Sequence, residues 1–553
     1  MPIYNKNYKI SKFNILEFIS LFILFIPTYL YSIENENLID YLKDQNFQVR
    51  VQIVDNKQSI KLLNNKGLIM NDDIGTPITS PIKVSLEDVR PAAYYYRLII
   101  GEFRQSEYGD AALMAKNARR RLGLDLEVIK LKKDKLINSK FPDEQEIYLV
   151  ATGYFESKEL AQKWYEYAKR FYSAFLYKDV LKQSKGVIRI LNDDGEVLGE
   201  YRNEVTIKPY IQLSTTYAEE ANDSLIKWWS FSRKDRYYRG NFNIYINDDG
   251  GLDVVNALHI DAYLYGVVPS EIGDYFPMET LKAQIVVARS EILAKIATKH
   301  HFNDNRYEFC NKTHCRAYNG AGAETVRTNK AVYDTTGYVL LHDNKIVDAL
   351  YSSCCGGITA NAEELWGNRA LSYLKSIRDR NGKQYGFDLS TENAASNWIA
   401  SSPDVYCNPN NGYYVPEFAQ KNFRWKKQYS KDTLNTMINK RYKVGRVKDI
   451  EVRKRSRSGR IKEIKIIGRN DTVVLKQELD IRRVFDNLYS SFFVMVKRYD
   501  SQWDLSGLTI KGAGYGHGVG MCQIGSYAMG KRGYNYQQII NHYFNDTSVS
   551  KIY

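Results

Sequence analysis

The stretch Leu264-Tyr265-Gly266-Val267-Val268-Pro269-Ser270-Glu271-Ile272 decides how this chain is read. An apolar run ends at a Pro-Ser break and a single carboxylate, Glu271, ahead of a helix predicted over roughly Met278 to Ile296. In that helix Leu281, Ile285, Ala288, Ile292 and Ile296 recur in steps that keep one buried stripe. Gln284 and Arg289 fall off the stripe, placed either to reach a site or to face water. A carboxylate on a loop between two rigid segments is both held and reachable, which is what a catalytic acid/base requires. Glu271 is the candidate, with an ordinary exposed loop glutamate as the alternative.

Working outward, the sequence upstream is rich in strand signals. Val187–Leu191, the turn Asn192-Asp193-Asp194-Gly195 and Val197–Tyr201 read as strand, turn, strand. Phe242–Ile246, Asp248-Asp249-Gly250-Gly251 and Leu252–Leu258 repeat the device. Downstream, Gly514-Tyr515-Gly516-His517-Gly518-Val519-Gly520-Met521-Cys522-Gln523 packs glycines around one histidine, permitting unusual backbone angles and close approach to a ligand. No Gly-Lys-Ser/Thr follows, so it is not a phosphate-binding loop.

Taken together these segments resemble the stage II sporulation protein D (SpoIID/LytB) family. The resemblance is carried by Tyr238-Arg239-Gly240, Val254–Leu258, the Glu271 segment, Ser353-Cys354-Cys355-Gly356-Gly357-Ile358-Thr359, Trp366, Tyr373-Leu374 and the Gly514–Gln523 block, in family order over about residues 235 to 545. Cys522 departs from the family, which usually has Ser there, and Cys355 is a second departure. The resemblance implies a peptidoglycan lytic transglycosylase with Glu271 as its single acid/base. It also implies peptidoglycan glycan strands as partner. The same family includes non-catalytic enhancers of a cell-wall amidase, which is the competing reading. Candidate substrate contacts are Gln284, Arg289, Ser352, Gly516, His517 and Gln523. His517 would bind substrate or orient Glu271; a hydrogen-bonded histidine in a tight turn is the alternative.

Residues 89–182 read as a separate module of order strand-helix-strand, strand-helix-strand. Tyr94–Ile100, a helix over Ala111–Leu122 stopped by Gly123, and Leu126–Leu131 form the first half. Ile147–Phe155, Ser157 as N-cap and Leu160–Phe171 begin the second. This βαββαβ order is similar to the sporulation-related repeat (SPOR) domain, implying binding to peptide-stripped glycan, although ferredoxin-like folds share it. The fold class expected is multi-domain α+β. It runs from a signal peptide or membrane anchor at 1–32, through a linker or small strand region at 33–88 and the module at 89–182, to a β-rich SpoIID-type region with inserted helices at 183–553.

Bulk properties agree with that division. At 553 residues the chain exceeds one compact domain. Its net charge of +14 fits an anionic partner such as a cell wall; no zinc-finger, helix-turn-helix or RNA-recognition signature supports nucleic acid. Lys6, Lys9 and Lys12 precede the apolar Ile15–Leu30, a segment of signal-peptide length, so export to the cell envelope is expected, with any membrane contact through that segment alone. Cys310, His314 and Cys315 form the densest soft-ligand cluster. They suit a structural zinc, which some family members carry at the corresponding place; a Cys310–Cys315 disulfide is the alternative. A zinc hydrolase built on them is disfavoured because no Glu/His zincin motif is present. The other cysteines, Cys354, Cys355, Cys407 and Cys522, permit disulfides of undeducible connectivity.

Overall fold

The computed structural model describes residues 47–71, 76–132, 145–169, 171–172, 174–219, 237–297, 306–311, 315, 317–366, 371–382, 384–412 and 415–553. Residues 1–32, read as a signal peptide or membrane anchor, and residues 33–46 of the region read as a linker or small strand region lie outside the described residues. Among those described, no helix is long and apolar enough to cross a membrane.

Four strands open the described chain: β1 (Val49–Lys57), β2 (Ser59–Leu63), β3 (Leu68–Met70) and β4 (Ile82–Arg90). Next come β5 (Ala93–Arg104), α1 (Tyr108–Leu122), β6 (Leu126–Lys132), β7 (Glu146–Thr152), α2 (Lys158–Ala168) and β8 (Phe175–Lys182). These give the expected βαββαβ order, closed as one antiparallel sheet of order β6-β7-β5-β8. Local signals account for it. Gly123 ends α1 in the left-handed region at φ 69° and donates to the Arg119 carbonyl. Ser157 caps α2 by accepting from the Leu160 N–H.

The chain then lays down β9 (Lys185–Leu191), β10 (Val197–Arg202), β11 (Glu204–Pro209), β12 (Thr216–Ala218), β13 (Tyr237–Tyr238), β14 (Asn241–Ile246) and β15 (Leu252–Leu258). Two helices follow, α3 (Ile260–Glu271) and α4 (Met278–Ala297), then β16 (Phe309–Cys310). The strands assemble into two six-stranded sheets, β16-β1-β15-β14-β11-β3 and β10-β9-β4-β2-β12-β13. Of the two readings given for 33–88, β1 to β4 follow the strand one, but as members of these two larger sheets and not as a small region of their own. β1 pairs antiparallel with β15, Val49 opposite Leu258, and β4 pairs with β9. The βαββαβ module is an insertion between two neighbouring strands of one sheet. Lys178 Nζ to Asp248 (2.7 Å) and Tyr94 Oη to Asp249 (2.8 Å) tie it to the β14–β15 turn.

Both sheets and the two helices share a core that includes Val51, Ile60, Val84, Ile190, Phe242, Val254, Leu264, Ile285 and Ile292. Farther along, Arg424–Ser430, Phe493–Tyr499 and Leu505–Ala513 form one three-stranded sheet. A second is built from Val447–Arg455, Ile461–Gly468 and Thr472–Leu475. Trp425, Ile450, Ile464, Phe485 and Phe493 give this lobe a core of its own, so the region after residue 183 is divided more finely than a single domain.

Candidate functional site

Glu271 is not on a loop. It is the last residue of α3, and the apolar run before it is helical through Pro269. Proline is tolerated here because the helix is ending: Ile272 donates to the Val268 carbonyl (3.0 Å) and then turns extended. The backbone that follows is pinned by Arg327, whose guanidinium donates to the carbonyls of Asp274 (2.7 Å) and Phe276 (2.9 Å). Glu271 itself is half-buried. Beside it, Ser270 Oγ accepts from Asn319 Nδ2 at 2.8 Å. One turn earlier in α3, Gly266 faces the Tyr318 ring. A Cβ there would stand 2.7 Å from the Tyr318 ring, so only glycine permits the approach.

The single-stripe reading of α4 fails. Nearly every residue from Thr280 to Ala294 is buried, as in a helix enclosed on all sides. Gln284 and Arg289 therefore face protein, not water. Gln523 Nε2 bridges the Glu271 carbonyl (3.1 Å) and Gln284 Oε1 (3.2 Å). Gln284 Nε2 is left buried without a hydrogen-bond partner. Arg289 is placed differently: wholly buried, it donates to Asp261 Oδ1 (3.0 and 2.6 Å) and to the Tyr338 carbonyl (3.0 Å). Its guanidinium locks α3 to α4, so among the candidate contacts it sits behind the site.

The strand Tyr351–Ser352 runs parallel to Met521–Cys522, with Ser352 opposite Cys522. This brings Ser352 next to the Gln523 end. Ser352 Oγ is also buried and unpartnered, at 6% residue exposure. Gly516, at φ +97°, lies over Ser352: a Cβ on it would approach the Ser352 Cβ to 3.0 Å. His517 Nδ1 accepts from the Val519 N–H (3.0 Å), and its ring packs on Trp366 at 5.4 Å between centroids. Burial lowers its pKa to about 4, against the pull of the Glu291 carboxylate. At neutral pH His517 is a neutral ring, able to exchange hydrogen bonds but carrying no charge. A folded pKa below the ordinary 6.5 means the unfolded chain binds the extra proton between these values. Stability should thus fall as pH drops from about 6.5 to 4, by on the order of 2–3 kcal/mol from this group. Denaturation midpoints across that window should lose this component of the slope in His517→Gln.

Sequence reading missed Arg460. It comes from the separate lobe, is wholly buried, and donates to the carbonyls of Cys355 (2.9 Å) and Ile358 (3.2 Å). It fixes the Gly-Gly turn from behind and runs directly under Gly518. A Cβ on Gly518, at φ +76°, would fall 1.8 Å from Arg460 Nη2. Gly518→Ala should cost at least about 2 kcal/mol through left-handed strain and displacement of a buried guanidinium, read as a lowered Tm. The clue in the sequence was an arginine in a polar turn, Ser456-Arg457-Ser458-Gly459-Arg460, indistinguishable from a solvated one.

At the soft-ligand cluster, Cys310 and Cys315 bring their Sγ atoms to 3.3 Å, and Cys310 N–H donates to Cys315 Sγ at the same distance. His314 lies outside the described residues. The hydrogen bond with Cys310, followed by burial, raises the pKa of Cys315. All six cysteines are free thiols in this structure.

Residues 248–342, which hold β15, α3 and α4, match the family model described as stage II sporulation protein. Residues 360–520 match a domain of unknown function, DUF8618. The chain is 27% identical to the amidase enhancer of Bacillus subtilis (strain 168) over 304 residues, covering 52% of this chain and 40% of that protein. It is 25% identical to stage II sporulation protein D of Bacillus amyloliquefaciens over 311 residues, covering 54% of this chain and 76% of that one. The protein of the same name from Bacillus subtilis (strain 168) matches with the same identity and coverage. The chain thus spans less than half the length of the amidase enhancer and about three quarters of the sporulation proteins.

Proposed function

We propose, for a chain that belongs to the stage II sporulation protein D family, that it works on the cell wall as a lytic transglycosylase, cleaving peptide-stripped glycan with Glu271 as its acid/base. The observation that carries this reading is the surroundings of Glu271. Glu271 is half-buried at the C-terminal end of α3. Next to it Gln523 holds Gln284 so that Gln284 Nε2 is buried without a partner, and Ser352 Oγ is a second unpartnered group on the adjoining strand. Unmet polar groups on elements tied to the Glu271 backbone suit a ligand dense in hydroxyl and amide groups.

In this reading the Glu271 carboxyl gives its proton to the glycosidic oxygen as that bond breaks. The resulting carboxylate takes the proton of the muramic acid's own primary hydroxyl, whose oxygen closes the anhydro ring on the anomeric carbon. The nucleophile belongs to the substrate, so one carboxyl group suffices where glycoside hydrolysis commonly uses two. The βαββαβ module is assigned to glycan binding; Tyr154, Tyr167 and Phe171 lie exposed on it, and Arg97 stacks on the Tyr154 ring at 3.8 Å. A zinc ion held by Cys310, His314 and Cys315 would brace the segment leading to Tyr318 and Asn319. The setting would be the cell envelope, reached through the N-terminal segment.

A second reading is favoured by one specific observation, the similarity to a protein named amidase enhancer. There the chain would bind glycan without cleaving it and act through a cell-wall amidase. Mass spectrometry of products from denuded glycan separates the two. Anhydro-ended fragments released by the purified chain alone support the transglycosylase; bound but intact glycan supports the enhancer.

A further inference from the structure

Away from the Cys310 cluster, four segments remote in sequence bring their ligating groups together. The Sγ atoms of Cys355, Cys407 and Cys522 and a carboxylate oxygen of Asp379 all lie within 4.8 Å of one another, and all four residues are completely buried. We infer that Cys355, Cys407, Cys522 and Asp379 form a structural site for a soft divalent cation, with zinc the fitting ion.

The spacing suits a tetrahedral ion. Zn–S bonds of about 2.3 Å set the S···S edge of a tetrahedron at about 3.8 Å, and a Zn–O bond of about 2.0 Å sets the S···O edge at about 3.5 Å. Here Cys355 Sγ stands 3.7 Å from Cys407 Sγ and 3.6 Å from Asp379 Oδ2.

The groups around the ligands are arranged as a metal centre requires. Cys522 caps the helix Gln523–Lys531, and its Sγ accepts N–H groups from Cys355 (3.3 Å) and Gly525 (3.4 Å). Those donors and the helix N-terminus favour a thiolate. Asp379 is oriented by Tyr543, which donates to Oδ1 (2.8 Å), and by the Cys407 N–H, which donates to Oδ2 (3.2 Å). Held this way, the carboxylate has one oxygen fixed and the other turned to the thiols.

Charge supplies the independent argument. A divalent ion with three thiolates and one carboxylate leaves two negative charges. Arg460 and Arg424, both bonded to the backbone of the Cys355-Gly356 turn, are two cations beside it. Among the described residues neither is within ion-pair distance of a carboxylate; both donate to carbonyl oxygens. An anionic metal–thiolate centre supplies two negative charges against these guanidinium groups, whereas neutral thiols or a disulfide would leave the Asp379 carboxylate as the cluster's one anion.

Such a site would clamp the segments holding Ser352 and Gln523, since Cys355 and Cys522 lie within three residues of them. The test uses the full chain carrying Cys310→Ser and Cys315→Ser, which removes the other soft-ligand cluster. Purified under reducing conditions and analysed for metal, this chain should retain one equivalent of zinc, and adding Cys407→Ser should abolish it. Because Cys407→Ser could fail to fold, cobalt(II) is loaded into the double variant as a second readout. The thiolate-to-cobalt charge-transfer bands and intense ligand-field bands of a tetrahedral site are expected. Absence of zinc and of these bands, or a chain mass lowered by the hydrogens a disulfide loses, would overturn the proposal. Neither readout depends on glycan cleavage, so the site and the transglycosylase reading stand or fall separately.

Discussion

Glu271→Gln should abolish release of anhydro-ended fragments from denuded glycan, lowering the rate by roughly 10²–10⁴-fold, while glycan binding and the melting temperature stay close to wild type. The size follows from the chemistry assigned to one group. Glutamine keeps the volume and the hydrogen-bonding reach but can neither give the leaving oxygen a proton nor take one from the attacking hydroxyl. With a single carboxyl serving both steps, both are impaired together. The fold should tolerate the change because Glu271 is a terminal helix residue, half-buried, and it is its backbone carbonyl that Gln523 holds. The companion change Gln523→Ala removes that hold and the bridge to Gln284, and should lower the rate without removing the acid, raising KM more than Glu271→Gln does. Equal product from wild type and Glu271→Gln would transfer the chemistry to another residue. No product from either, with glycan still bound, would establish the enhancer reading.

What the sequence made legible was local. The βαββαβ order emerged because its signals, a left-handed Gly123 and a Ser157 cap, lie within a few residues of what they terminate. The hairpins at Asp193-Asp194-Gly195 and Asp248-Asp249-Gly250 were legible for the same reason. The place of β1 to β4 in the larger sheets was not legible because their partners lie far along the chain: nothing near Val49 announces Leu258. The end of α3 was misread because Pro269 signals a break in any local reading, yet it occupies the last turn, where the helix was about to stop. Of the candidate site, Glu271, Gln284, Ser352, Gly516 and Gln523 came from motif blocks, and the fold brings them onto adjoining elements. Arg460, Arg424 and Asp379 could not be found that way. Each acts from a different segment, and a buried charge has the same letter as a solvated one.

Arg289→Met should cost about 3–5 kcal/mol, a change large enough to melt the α3–α4 unit at temperatures where the wild type is folded. Arg289 was a candidate substrate contact from its place off the apolar stripe, and the structure gives it other work. Its guanidinium is wholly buried and bonded twice to Asp261, which is 7% exposed, and once to the Tyr338 carbonyl. Removing the cation leaves a buried carboxylate with the Tyr553 hydroxyl (3.2 Å) as its remaining side-chain donor of this network. Most of the loss is that uncompensated charge, so Arg289→Met/Asp261→Asn should recover part of it, and Asp261→Asn alone should also be destabilising. Arg289→Lys separates the two roles. Lysine keeps the charge but not the two-pronged geometry, so a structural residue should show a lowered Tm with KM for glycan unchanged in the folded fraction. A substrate contact would show raised KM at unchanged Tm, and that outcome would put Arg289 back at the surface of the site. The same lock explains how a carboxyl group at the end of α3 can hold its position against α4. The ion pair fastens the first turn of α3 and Gln523 fastens its last residue to Gln284, so both ends of the helix that carries Glu271 are tied down.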